Sequence, residues 1–237
     1  MRLIYKKYFL VIIYNKFIMP YRRQYRRRSY RPRRQSRSSR YLDTASKALA
    51  VAYSVKKLLN VEFRHHEAEV TINPSTSGLV SNLSLVAQGD ASTQREGNSF
   101  RAKSLTLRGT DTANSSATSP TVVRHIIFQD LQQQGTAPTP SNVLKALNVN
   151  SNLNIVDFPK RFKVLRDWTT DLSTVSAGRG NQSYKYHIKL DSVLKYDGPG
   201  GTAAEQRYGQ LYHLTLSNQS TNTPTCSLYH RLRFVDN

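Results

Sequence analysis

From Glu67 to the C-terminus the apolar residues recur at every second position. Ala68, Val70 and Ile72 share one face of Glu67–Ile72, and Tyr184, Tyr186, Ile188 and Leu190 share one face of Tyr184–Leu190. Cys226, Leu228, His230, Leu232 and Phe234 repeat the pattern near the end. A period of two sends successive side chains to opposite faces, which is the signature of half-buried strands. Further strands are predicted at Leu79–Ala87, Phe100–Gly109, Thr121–Asp130, Arg161–Ser173 and Gly209–Ser217. Clusters of Gly, Pro, Asn and Ser separate them, as in residues 135–142 and 197–201. Eight antiparallel strands, with no βα alternation and no repeat period, predict an all-β fold over residues 63–237, a single jelly roll of two four-stranded sheets. Ser141–Asn148 is expected as a short crossing helix capped by Ser141.

Residues 42–62 read differently. Asp43 or Thr44 can cap a helix in which Ala48, Val51, Val55 and Leu58 form one stripe. Lys56 and Lys57 fall near its C-terminal end, where the helix dipole favours cations.

Charge is concentrated ahead of this helix. The chain has 35 lysines and arginines against 15 acids, a net charge of +20, and residues 1–40 hold 14 of those cations and none of the acids. The rest therefore carries 21 positive charges against 15 negative. Residues 19–41 contain ten arginines, Arg22, Arg23, Arg26, Arg27, Arg28, Arg31, Arg33, Arg34, Arg37 and Arg40, interleaved with Tyr21, Tyr25 and Tyr30. Guanidinium binds phosphate bidentately and stacks on bases, and tyrosine supplies a second stacking surface. Such a segment has little to bury and repels itself, so it is expected to be a disordered arm that orders on a polyanion. Lys47, Lys56 and Lys57 extend the same basic character onto the helix.

Residues 1–18 begin with basic residues and have an apolar stretch at Phe9–Tyr14, but the stretch is too short for a span and no small-residue cleavage site follows. Translation is expected to begin at Met19, which makes 1–18 an upstream extension. The single Cys226 allows no internal disulfide.

Catalytic and metal motifs are absent from the pattern. His65, His66 and Glu67 are adjacent on a strand and point to alternate faces, which does not make a shared metal site. His230 and Cys226 read as inward core residues. Gly198-Pro-Gly-Gly-Thr202 has no lysine where a phosphate loop requires one. The carboxylates form no acid and base pair, so no enzyme is expected.

The segments VRHIIFQDLQQQGTAPTPSNVLKALN (Val123–Asn148) and KRFKVLRDWTTDLS (Lys160–Ser173) closely resemble the satellite tobacco necrosis virus coat protein family. VAQGDASTQREGNSFRAKSLTLRG (Val86–Gly109) is similar to a second signature of that family, and the likeness runs from Leu42 to Asp236. The Tyr/Arg-rich Met-Pro start is more similar to capsids of small circular single-stranded DNA viruses. The resemblance implies a coat protein that assembles into a small icosahedral shell of about 60 subunits. It also implies that a single-stranded genome, expected to be DNA, is packaged through the arm, in a virion and, during infection, in the host nucleus by way of import receptors. No membrane is implied. It further implies calcium between subunits, with Asp90 of Gly89-Asp90 and Asp236 as ligands, although Ala91 and Asn98 stand where the family pattern is acidic. The alternatives are an RNA-satellite coat protein, a non-viral RNA-binding protein, or a jelly-roll lectin, which would explain the fold but not the arm.

Overall fold

The computed structural model describes residues 37–58, 62–133, 135–154, 160–172 and 180–236. The chain divides into two units at residues 59 and 60.

In the first unit the described element is helix α1, Arg37–Leu58. It begins before the expected boundary at residue 42, so Arg37 to Tyr41 are helical and not part of an irregular arm. Arginine is a good helix former and no Pro or Gly follows Pro32 to interrupt the run. Asp43 therefore lies within the helix, where it pairs with Lys47 one turn on and does not act as a cap. The described side chains of α1, residues 43–55, are all exposed.

The second unit is a sandwich with nine strands among the described residues. These are β1 (Phe63–Ile72), β2 (Leu79–Asn82), β3 (Ser99–Thr112), β4 (Thr121–Asp130), β5 (Phe162–Leu172), β6 (Asn181–Tyr196), β7 (Gln206–Tyr208), β8 (Gln210–Ser217) and β9 (Thr225–Asp236). One sheet has the order β1-β9-β3-β6-β7 and the other β2-β8-β4-β5. All the recorded pairings between these strands are antiparallel. Each of the eight expected strands has a counterpart. The sheets nevertheless hold five and four strands, because β7 adds a short edge to the first. Three residues are too few to show alternation. Gly209, with φ +76°, ends β7 and turns the chain toward β8, and a Cβ there would lie 2.3 Å from the Val193 carbonyl oxygen.

The main core lies between the sheets. Phe100, Leu105, Leu107, Leu228, Leu232 and Phe234 from the five-stranded sheet pack with Ile127 and Leu211 from the other. A second core covers the opposite face of the four-stranded sheet. There Val143, Leu144 and Val149 from the β4–β5 connection lie on Ile126, Phe128, Tyr212, Leu214 and Leu216. All eight residues of β8 are consequently buried.

The expected helix over Ser141–Asn148 is confined to α2, Pro140–Val143. Its cap is Thr139, whose N–H donates to Asn142 Oδ1 at 2.9 Å. Pro140 at the first helical position suits this start. The helix stops because Leu144 is extended and bridges Leu153, which holds its side chain in the second core. Among the described residues no helix is long and apolar enough to cross a membrane.

Candidate nucleic-acid interface

Of the ten arm arginines, Arg22, Arg23, Arg26, Arg27, Arg28, Arg31, Arg33 and Arg34 lie outside the described residues. Arg37 and Arg40 fall in the first turn of α1, Lys47 near its middle, and Lys56 and Lys57 in its last turn. The helix thus holds five cations against one acid, Asp43. The Asp43–Lys47 pair, 2.8 Å apart, is exposed on both sides and leaves the helix strongly basic.

A second basic surface appears in the shell unit, on the face of the five-stranded sheet turned away from the core. Strand alternation builds it. β3 contributes Arg101, Lys103 and Arg108, β6 contributes Lys185, Lys189 and Lys195, and β9 contributes Arg231 and Arg233. Against these stand Glu67 and Glu69 on β1 and Asp191 on β6. Lys103 reaches this face as the extra residue of a bulge between Ala102 and Ser104. Eight cations against three acids make +5, nearly the whole excess of 21 over 15 found beyond residue 40.

The acids neutralise only part of the face. Asp191 takes Lys103 at 2.8 Å and Arg101 at 3.4 Å. Glu67 accepts hydrogen bonds from the Tyr229 hydroxyl and from Arg231, and these two bonds hold its carboxyl below the ordinary carboxylate range. Arg108 and Lys185 sit directly opposite each other across β3 and β6, in a row that continues through Tyr229 to Glu69. Among the described residues neither cation has an ion-pair partner. A groove of about 400 Å³ runs along this row, lined by Arg108, Lys185, Tyr229, Thr110 and Ser183, with Glu69 as its one acid. None of these residues stands out in the inward-facing pattern, although their signal lies in the same strands. Lys185 and Lys189 alternate with the apolar residues of Tyr184–Leu190, and Arg231 and Arg233 alternate with Leu232 and Phe234.

The expected calcium ligands are placed apart in their chemistry. Asp90 is an exposed loop residue. Asp236 lies 3.2 Å from Arg64 Nε and accepts the Glu96 N–H. Burial raises its carboxyl, and those two contacts offset the rise only in part. Arg64, itself buried, also donates to Glu96 and to the carbonyls of Gly89, Ala91 and Gln94. Arg64 and the Glu96 N–H thus both engage Asp236 through Oδ2, while its Oδ1 is buried with no hydrogen-bond partner.

Where metal-capable side chains do converge among the described residues, they are Asp111, His125 and Cys226, all buried. The cluster bridges the two sheets. His125 Nε2 lies 2.8 Å from Asp111 Oδ2, Thr170 donates to the same oxygen at 2.7 Å, and His125 Nδ1 lies 3.1 Å from His213 Nε2. Trp168 stacks on His125 at 4.8 Å. Burial pushes the Asp111 carboxyl up, but hydrogen bonds from His125 and Thr170 and attraction to His125 hold it below its ordinary value. Burial forces His213 well below the ordinary histidine range and pushes the Cys226 thiol up. With no exposed member, the network ties one sheet to the other and offers no reacting atom to a substrate.

The profile of the satellite tobacco necrosis virus coat protein family matches residues 33–237. The chain is 28% identical over 218 residues to the coat protein of Maize white line mosaic Satellite virus, covering 87% of this chain and 96% of that one. It is 32% identical over 178 residues to the capsid protein of Satellite tobacco necrosis virus 1, covering 71% and 86%. Among solved structures, a 60-mer BFDV capsid protein aligns over 74% of this chain and 91% of its own at 12% identity, with a TM-score of 0.28. The chain belongs to the satellite tobacco necrosis virus coat protein family.

Proposed function

We propose that this protein is the coat subunit of a small icosahedral virion, a jelly roll that closes into a shell of about 60 copies around a single-stranded genome. The observation behind this reading is the segregation of charge. Fourteen cations and no acid occupy the first 40 residues, ahead of a two-sheet unit of nearly balanced charge. Strand order supports the architecture, since β1-β9-β3-β6 facing β2-β8-β4-β5 is the eight-strand jelly-roll arrangement, with β7 as an added edge. Membership of a coat protein family supports the assembly.

The arm is the packaging element. Sixty copies of ten arginines bring roughly 600 positive charges inside a shell, where counterion release drives condensation without reading sequence. Phosphate and base faces are common to DNA and RNA, so the arm's chemistry serves either. The preference for DNA rests on the likeness of the arm alone. The same arginines would carry free subunits to import receptors of the host nucleus. Calcium, on this reading, would be confined to Asp90 carboxylates brought together from neighbouring subunits.

Particles of the full chain and of a chain starting at Leu42, purified alike, test the proposal by their 260/280 nm absorbance ratio. The shortened chain should fold but enclose little nucleic acid. Equal packaging by both would refute the role of the arm, and failure of the full chain to form closed particles would refute the coat reading. Digestion of the extracted nucleic acid by DNase or by RNase assigns its type.

A further inference from the structure

We propose that the open face of the five-stranded sheet is a second, structured binding site for single-stranded nucleic acid. One base stacks on the ring of Tyr229, and the flanking phosphates are held by Arg108 and Lys185. The inference rests on the nucleic-acid packaging reading and assigns part of that task to the shell unit.

Cross-strand pairing gives the first argument. Residues directly opposite on neighbouring strands lie about 5 Å apart at Cβ, and like charges there destabilise a sheet. Arg108 and Lys185 are such a pair. Elsewhere on the same face the sequence supplies acids for three cations, Asp191 for Arg101 and Lys103, and Glu67 for Arg231, while Lys189, Lys195 and Arg233 have no ion-pair partner among the described residues. Opposite Arg108 and Lys185 it supplies none among the described residues. An anion between the guanidinium and ammonium groups removes the repulsion, and the Thr110 and Ser183 hydroxyls, which hydrogen-bond each other at 2.9 Å beside the same groove, leave one O–H to donate to a phosphate.

Tyr229 supplies the second argument. It is 43% exposed, an uncommon position for a large aromatic in the middle of a sheet face. Its hydroxyl is anchored on Glu67 and its neighbour two residues on, Arg231, is anchored on the same carboxylate. The ring is thereby fixed while its face stays open to grooves on either side, one shared with Arg108 and Lys185 and one with Thr106, Arg108 and Arg231. A fixed aromatic with unpaired cations beside it is the combination that binds single strands irrespective of sequence, since every base has a π face. Glu69, at the far end of the row, repels phosphate. It therefore orients the strand toward the β3 and β6 side.

Ultraviolet cross-linking of the full-length protein to thymidine and uridine 12-mers, with peptide mapping by mass spectrometry, tests the site. Adducts are expected on Tyr229, and they should persist in a full-length variant whose ten arm arginines are changed to glutamine. In that arm-neutral protein, Arg108→Ala with Lys185→Ala should weaken 12-mer binding about 10-fold or more and reduce the salt dependence by between one and two counterions. Tyr229→Leu should weaken it about 5-fold to 100-fold, the effect of one lost stacked base. Tyr229→Phe, which keeps the π face and loses only the hydroxyl anchor, should lose clearly less than Tyr229→Leu. Equal losses from Tyr229→Phe and Tyr229→Leu overturn the stacking role. Adducts confined to residues 19–41 overturn the sheet site while leaving the packaging arm intact. Absence of nucleic acid from every form of the protein overturns both readings together.

Discussion

Among the described residues Arg95 is the largest fully buried side chain, at 0% exposure, and it forms no ion pair with a carboxylate. Its guanidinium donates instead to four backbone carbonyls. Nε reaches Val86 O at 3.0 Å, Nη2 reaches Gly200 O at 3.0 Å and also Gly198 O, and Nη1 bonds Gly97 O. The group lies 4.2 Å over the ring of Tyr196. It therefore joins the loop after β2 to the turn after β6, 103 to 105 residues away in sequence. Arg95→Met keeps the apolar stem and deletes every donor. The fully buried Val86 carbonyl would lose its partner at a cost of about 1–3 kcal/mol. The three glycine carbonyls are half-buried and can turn in part to water, so together they add about as much again. Loss of the cation–π contact adds roughly 1 kcal/mol. Relief from burying a guanidinium works in the opposite direction by about 3 kcal/mol. Losses of about 3–7 kcal/mol less that relief leave a net destabilisation of about 0–4 kcal/mol, centred near about 2 kcal/mol.

Trp168, the single tryptophan, stacks in the core on His125 and reports unfolding by its fluorescence. Urea titration of the subunit should show the Arg95→Met midpoint lower by about 1 M, with the slope unchanged. Arg95→Lys, which keeps the charge but not the planar fork, should fall between the two. A midpoint for Arg95→Met within about 0.2 M of the parent refutes the argument, since it would mean the carbonyls find water at no cost.

Gly109 lies beneath the ring of Tyr184, and a Cβ there would stand 2.5 Å from its Cζ. Because that ring is packed against Trp168 and His125, Gly109→Ala should cost about 1–3 kcal/mol, measured in the same urea titration. Burial lowers His230 from 6.5 to about 4 and holds His213 well below, and His66 below, their ordinary value. The unfolded chain takes up protons at these sites near pH 6.5 that the folded chain refuses, so stability present above pH 6.5 should fall as pH drops toward 4. His230 contributes about 3 kcal/mol of that loss, and a stability-against-pH series in which His230→Leu does not flatten the slope would contradict it. Because Arg64 engages Asp236 Oδ2, a millimolar chelator should leave the thermal midpoint of the free subunit unmoved. Any shift in assembled particles should disappear in Asp90→Asn.

How far the sequence reveals this molecule depends on which physical signal each part carries. Strands with one open face announce themselves: β9 alternates Cys226, Leu228, His230, Leu232 and Phe234 inward with Tyr229, Arg231 and Arg233 outward. β8 was also legible, by its apolar density, although burial on both sides erases alternation along it. β7 was not, because three residues beside Gly209 have no period to read. The long α2 expected from Ser141–Asn148 fails for a tertiary reason. Leu144 and Val149 serve the second core better from extended and turned backbone than from helical backbone, and packing overrides local propensity.

The buried polar network lay beyond any single-strand reading. Asp111 belongs to β3, His125 to β4, Thr170 to β5 and His213 to β8, so contact among them depends on the stacking of two sheets. Cys226 looked like a small hydrophobe by its position in the alternation, and burial agrees, but its register partner across β3 is Asp111. The open basic face lay within reach of sequence and was missed for the opposite reason. Alternation identifies what faces inward, but says of the outward residues of the same strands only that they face away from the core. Register then decides their meaning. It sets Arg108 opposite Lys185 with no acid between them, a juxtaposition that neither strand states alone and that an anion resolves.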